Sequence, residues 1–231
     1  MKPLLKIVII FSLVMLLQPG LHPEDYQYQY FNHEKDKYVP FSDYIPKIRL
    51  HYFTVPHYLE DFYQLYGMKQ HYNENSLRKN IDRLKTALAC KFRHPSEALV
   101  KIDSEAEYLK YRRLMFMHLN ILIMRNYMSI ASRYDKQSIK FYNSPFAKEI
   151  NESFDIAEKL YKEAIPYWEN AKRYAMDASD IKITTDLGFI ESERFSIARG
   201  DLSYGKIIDD HLKRLSQKRQ KLNPAEASSK K

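Results

Sequence analysis

From His57 to Leu222 the apolar residues recur every three or four positions, the spacing that lines one face of an α-helix. A short helix is expected over His57–Met68, with Leu59, Phe62, Tyr63 and Tyr66 on one side. A second spans Glu74–Phe92, with Leu77, Ile81, Leu84, Leu88 and Cys90 near its apolar face, and His94-Pro95 ends it. Ser104-Glu-Ala-Glu107 reads as a capping box and opens a long helix to Tyr134. The middle of that helix, Leu114–Met124, is apolar nearly all round, which predicts a central buried helix. A membrane span fits less well, because the run contains His118 and Asn120 and is flanked by Arg112, Arg113 and Arg125.

Ser144-Pro145 is a second start signal, with serine as N-cap and proline at the first helical position. The stripe Phe146, Ile150, Phe154, Ala157, Tyr161, Ala164, Trp168, Ala171, Ala175 then stays in phase across Pro166, so this proline should kink the helix rather than stop it. A further helix is expected from Asp180 to a C-cap at Gly200. Asp201 is the expected cap of a last helix to Leu222, closed by Pro224. So short a turn between two helices predicts an antiparallel hairpin. Residues 56–222 are thus expected to form an all-α domain of about six helices in antiparallel hairpins, either tetratricopeptide-like or an irregular bundle. The glycine content agrees: 5 in 231 residues is too few for the turns of a sandwich, barrel or nucleotide-binding α/β fold.

The segments outside this domain read differently. Residues 1–20 combine Lys2 and Lys6, an apolar run Ile7–Leu17 and Pro19-Gly20, the layout of a secretory signal peptide cleaved near Gly20. An uncleaved signal anchor is the alternative. Cys90 is the only cysteine, and export without disulfides suits a bacterial periplasm. Residues 21–55 form an extended arm broken by Pro40 and Pro46, and ten of the 19 tyrosines lie between Tyr26 and Tyr72. Tyrosine is enriched at interfaces, so Tyr26, Tyr28, Tyr30, Phe31, Tyr38, Phe41, Tyr44, Tyr52 and Phe53 are candidate partner contacts. Packing of the arm on its own helices is the competing expectation. Residues 223–231 read as a disordered basic tail.

The formal charge of +8 is unevenly placed. Residues 21–212 carry 28 basic and 28 acidic side chains, while residues 213–231 carry a net +6. The body is neutral, and no nucleic acid is expected as a partner. Lys213, Arg214, Lys218 and Arg219 form the basic end, where a helix C-terminus favours cations in any case. Their candidate partners are an acidic protein or an anionic membrane surface.

Ala157, Tyr161 and Ala164 resemble the small–large–small positions on the second helix of a tetratricopeptide repeat, without the companion signature or a 34-residue period. The segment Leu160–Ala175, behind an export signal, is similar in style to helical periplasmic proteins of spirochaetes, above all the collar proteins of the periplasmic flagellar motor. That resemblance implies a structural subunit bound to other collar proteins, with no catalysis, and carries over no functional residue.

Motifs for chemistry are sparse. The eight histidines make no metal-binding pair at helical spacing, and only a loop site at His51 and His57 near Asp61 offers itself. His118 reads as a hydrogen-bonded core histidine and Cys90 as a small core residue. There is no nucleophile elbow or phosphate-binding glycine loop. Glu60-Asp61, Asp209-Asp210 and Glu191 with Glu193 are paired carboxylates, a pattern that glycoside hydrolases use but that more commonly marks a solvated helix face. The expectation is an exported structural or scaffold protein, not an enzyme, needing no cofactor and assembling with other envelope proteins in a hetero-oligomer. The alternatives are a cell-wall hydrolase and a signal-anchored inner-membrane adaptor.

Overall fold

A computed structural model describes residues 56–222, so the expected signal, arm and tail, with all nine arm aromatics, lie outside the described residues. Six α-helices follow one another among the described residues: α1 (Leu59–Phe62), α2 (Glu74–Ala89), α3 (Glu105–Tyr134), α4 (Ala147–Ser179), α5 (Gly188–Arg199) and α6 (Tyr204–Leu222). Helix α1 continues as a π-helical turn over Tyr63–Gly67. A Cβ on Gly67 would collide with the ring of the fully buried Tyr63, so this turn requires glycine.

Helix α3 is the centre, as its all-round apolar middle predicts. Leu114, Met115, Met117, Leu119, Ile121, Ile123 and Met124 have no solvent exposure. Asp103 N–H donates to Glu107 Oε2, and Glu107 N–H donates to Ser104 Oγ, so the expected start forms with its glutamate reaching one residue further back. The main packing partner of α3 is α4. Arg113 near the start of α3 bonds the Asp177 carbonyl at the end of α4, and Ser153 near the start of α4 bonds the Tyr134 carbonyl. The two helices are therefore antiparallel. Alanines 157, 164, 171, 175 and 178 of α4 are fully buried, and the buried Phe154, Tyr161 and Trp168 of the same helix meet Lys218, His211 and Tyr204 of α6. Replacing a large side chain of this kind by alanine costs about 3–5 kcal/mol. The predicted stripe holds from Ile150 onward, but Phe146 is 59% exposed. Helix α4 runs through Pro166 without a break.

Several expected boundaries move, each for a tertiary or local reason. Helix α2 stops at Ala89 because the chain beyond it pairs with the entry to α1, Leu59 N–H donating to the Lys91 carbonyl at 3.0 Å. Cys90 is accordingly a half-buried C-cap rather than a core residue. The Ser144-Pro145 start is displaced: a 3-10 segment over Phe141–Phe146 comes first, with Lys140 N–H on Asn143 Oδ1, and α4 begins at Ala147. Helix α5 begins at Gly188, not Asp180, because Glu191 reaches back to the backbone and hydroxyl of Thr185 and holds the connection out of helical form. Gly200 closes α5 in the left-handed region at φ 81°, as predicted. Asp201 does not cap α6: it pairs with Arg199 at the surface, and Ser203 accepts the Lys206 N–H instead. Nor do α5 and α6 pack chiefly on each other; both lie on α4.

Candidate functional site

The carboxylates that stand out in the sequence are mostly inside the fold, and they organise three polar clusters. In the first, Glu60 and Asp61 of α1 are 0% and 2% exposed. Glu60 Oε1 accepts the Tyr111 hydroxyl at 3.0 Å and Oε2 accepts Arg93 N–H at 3.1 Å. Asp61 Oδ1 receives Arg93 Nη2 at 2.6 Å and Nε at 3.0 Å, while Oδ2 takes the N–H groups of His57 and Tyr58 at the helix start. Burial pushes the Glu60 carboxyl above the ordinary glutamate range in spite of these donors, and it pushes the Tyr111 phenol up as well.

The second cluster joins α5 to α3. Glu191 Oε1 lies 2.9 Å from Lys110 Nζ and Oε2 lies 2.7 Å from Arg194 Nε. Glu193 Oε2 lies 2.9 Å from His118 Nδ1, and Oε1 lies 2.7 Å from Arg125 Nη2, which also reaches the Tyr204 hydroxyl. Burial works against both carboxylates. For Glu191 the hydrogen bonds from Lys110, Thr185 and Arg194 outweigh it, and for Glu193 those from His118 and Arg125 do, so both are held below the usual range. His118 is thus the hydrogen-bonded core histidine that the sequence predicts, with the rings of Tyr63 and Phe189 edge-on to it.

Asp135, the C-cap of α3, anchors the third cluster. Its Oδ2 accepts the Tyr161 hydroxyl at 2.7 Å and Arg214 Nη2 at 3.2 Å, and its backbone carbonyl accepts Lys218. His211 stacks on Tyr161 with ring centroids 4.8 Å apart. Burial, reinforced by Asp135, raises the Tyr161 phenol, and burial lowers the Lys218 ammonium.

These placements decide what each candidate can do. Four of the six paired carboxylates are buried and bonded rather than on a solvated face, a reversal of the usual expectation for helices; only Asp209 and Asp210 are exposed. Of the basic end, Lys213 is exposed, Arg214 and Lys218 are committed to Asp135, and Arg219 pairs with Asp155 at 2.7 Å and Glu158 at 2.9 Å. The predicted cationic patch is therefore largely spent on helix-to-helix ties. Burial raises the Cys90 thiol, the opposite of what a nucleophilic thiolate requires. Among the described residues no group of three or more His, Cys, Asp or Glu could hold a metal ion; His51 lies outside them. No described helix is long and apolar enough to cross a membrane. Asp135, Tyr161 and His211 escape sequence reasoning because no motif links them; the local signal was only the His211–Arg214 spacing on one helix face.

A family model described as a domain of unknown function (DUF8513) matches residues 106–225. The chain belongs to this family. No curated protein and no solved structure matches it. The DUF8513 span runs from the first turn of α3 past the end of α6, so it contains the second and third clusters whole. Helices α1 and α2 precede it and join it through Glu60, whose partner Tyr111 is a DUF8513 residue.

Proposed function

We propose that this protein is an exported structural subunit, non-catalytic, that works through protein–protein contacts in a bacterial envelope assembly. The observation that carries the reading is the fate of Glu60 and Asp61. A hydrolytic carboxylate pair needs room for substrate between its members, whereas these two are buried and saturated by Arg93, Tyr111 and the start of α1. The titratable groups of the fold serve as ties between helices, which suits a rigid body that presents surface. The tyrosine-dense sequence ahead of α1 supplies side chains suited to partner contact. The finer proposal, by resemblance of the Leu160–Ala175 segment, is a collar subunit of a periplasmic flagellar motor.

Two measurements test this. Crosslinking and affinity capture of the full chain from envelope extract should return a defined set of envelope proteins, and deletion of residues 21–55 should remove them while leaving a helical, folded core. N-terminal sequencing of the mature protein should find a start near residue 21. Recovery of the chain alone, or an intact Met1 on protein from the cytoplasmic fraction, would refute the proposal.

A further inference from the structure

Helix α6 is held to its neighbours by few groups. Its buried apolar residues, Ile208, Leu215 and Leu222, form a single stripe seven residues apart; Tyr204 ties its start to Arg125, Arg219 ties its end to Asp155 and Glu158, and Arg214 and Lys218 tie its middle to Asp135. At that point one ring nitrogen meets two potential donors. His211 Nδ1 lies 3.1 Å from the Tyr161 hydroxyl oxygen, and Arg214 Nη2 bonds the same nitrogen. Tyr161 has one proton, and its 2.7 Å bond to Asp135 Oδ2 uses it. Arg214 is then the donor to Nδ1, which assigns neutral His211 the tautomer with its proton on Nε2.

A proton added to Nδ1 removes the lone pair that Arg214 uses. Two acceptors already stand within reach of the new N–H: the Tyr161 oxygen at 3.1 Å and Asp135 Oδ2 at 3.5 Å. Arg214 is left as a second cation against the imidazolium, with Lys218 a third beside Asp135. The acidic groups of α4 that face α6, Asp155 and Glu158, are taken by Arg219. The Arg214 side chain is 48% exposed, so solvent is its open alternative.

We propose that His211 is a proton-operated latch: neutral, it holds Arg214 against Asp135; protonated, it takes the place of Arg214 on the Asp135–Tyr161 pair and turns the guanidinium out to solvent. Acidification then turns one cation, Arg214, away from Asp135 and out to solvent, next in sequence to the exposed Lys213.

The test is an NMR titration of the full chain from about pH 8 to about pH 5, following the His211 ring nitrogens and the Arg214 side-chain N–H signals together. The expected result is that the Arg214 Nε and Nη resonances move from hydrogen-bonded shifts to those of a solvent-exposed guanidinium, with the same midpoint as His211. His211→Gln offers an acceptor oxygen but cannot take the proton, and should hold the Arg214 shifts constant. Constant Arg214 shifts while His211 titrates in the wild-type chain overturn the proposal, with no variant required. The same shift change with an unchanged midpoint in His211→Gln also overturns it and assigns the change to Asp135.

Discussion

Glu193 and His118 meet across 75 positions of sequence, Oε2 to Nδ1 at 2.9 Å, with both side chains 3% exposed. Because the other Glu193 oxygen holds Arg125, one residue of α5 grips two successive points along α3.

Removal of that carboxylate leaves His118 buried without its acceptor and takes from Arg125 its carboxylate partner. Glu193→Ala is expected to destabilise the fold by about 3–5 kcal/mol, the range for breaking a buried ionic contact from one side. Urea denaturation with an unchanged m-value would register it as a lower midpoint. A loss within the range of an ordinary surface substitution would show that the contact is not formed in solution.

The buried carboxylates make opposed contributions to pH dependence. Glu191 and Glu193 are held low, so their stabilisation is complete above the unfolded glutamate pKa and is lost as pH falls through their folded values. Glu60 is raised, so its contribution is complete below the unfolded value and is lost as pH rises through the folded one. Glu60→Gln should therefore gain on the wild type in unfolding free energy as pH rises from about 4 to about 7. Urea midpoints measured in parallel across that range check the sign.

At Gly67 the neighbour of a new methyl group would be the buried Tyr63 ring, which has nowhere to move. Gly67→Ala should cost about 1–3 kcal/mol, as overpacking does. The double variant Gly67→Ala with Tyr63→Leu should recover part of the loss in thermal melts, since the obstructing ring is gone.

Asp135→Ala removes the carboxylate that Arg214 and the Tyr161 hydroxyl share. We expect about 1–3 kcal/mol of destabilisation, and a specific local signature: hydrogen exchange should speed up in α6 before it does in α3 or α4. Uniform acceleration across all helices would instead assign Asp135 a global role.

The helical architecture was legible because its signals are local. The apolar period of α2, α3 and α4, the Ser104 start and the Gly200 stop each involve residues within a turn or two of one another, and the fold keeps them. The boundaries that moved depend on contacts a linear reading cannot weigh: Glu191 reaching back to Thr185, or Lys91 pairing with Leu59. The same reason hid the polar clusters. Glu60 and Asp61 look like a solvated pair until Arg93 and Tyr111 are brought to them from 33 and 51 positions away. The basic end misled in the same manner, since Arg219 finds its acidic partners on α4, one of them 61 positions earlier. A charge pattern reports its partners only when they lie on the same helix.

The manner in which α6 is attached has a mechanical consequence. It lies along α4 with only three buried apolar residues, the last of them, Leu222, at its C-terminal end. Tension applied at the C-terminus would load those contacts one after another, Leu222 first and Ile208 last, rather than all together. The helix would peel away before any load reached the antiparallel pair α3 and α4, whose shared surface is far more extensive.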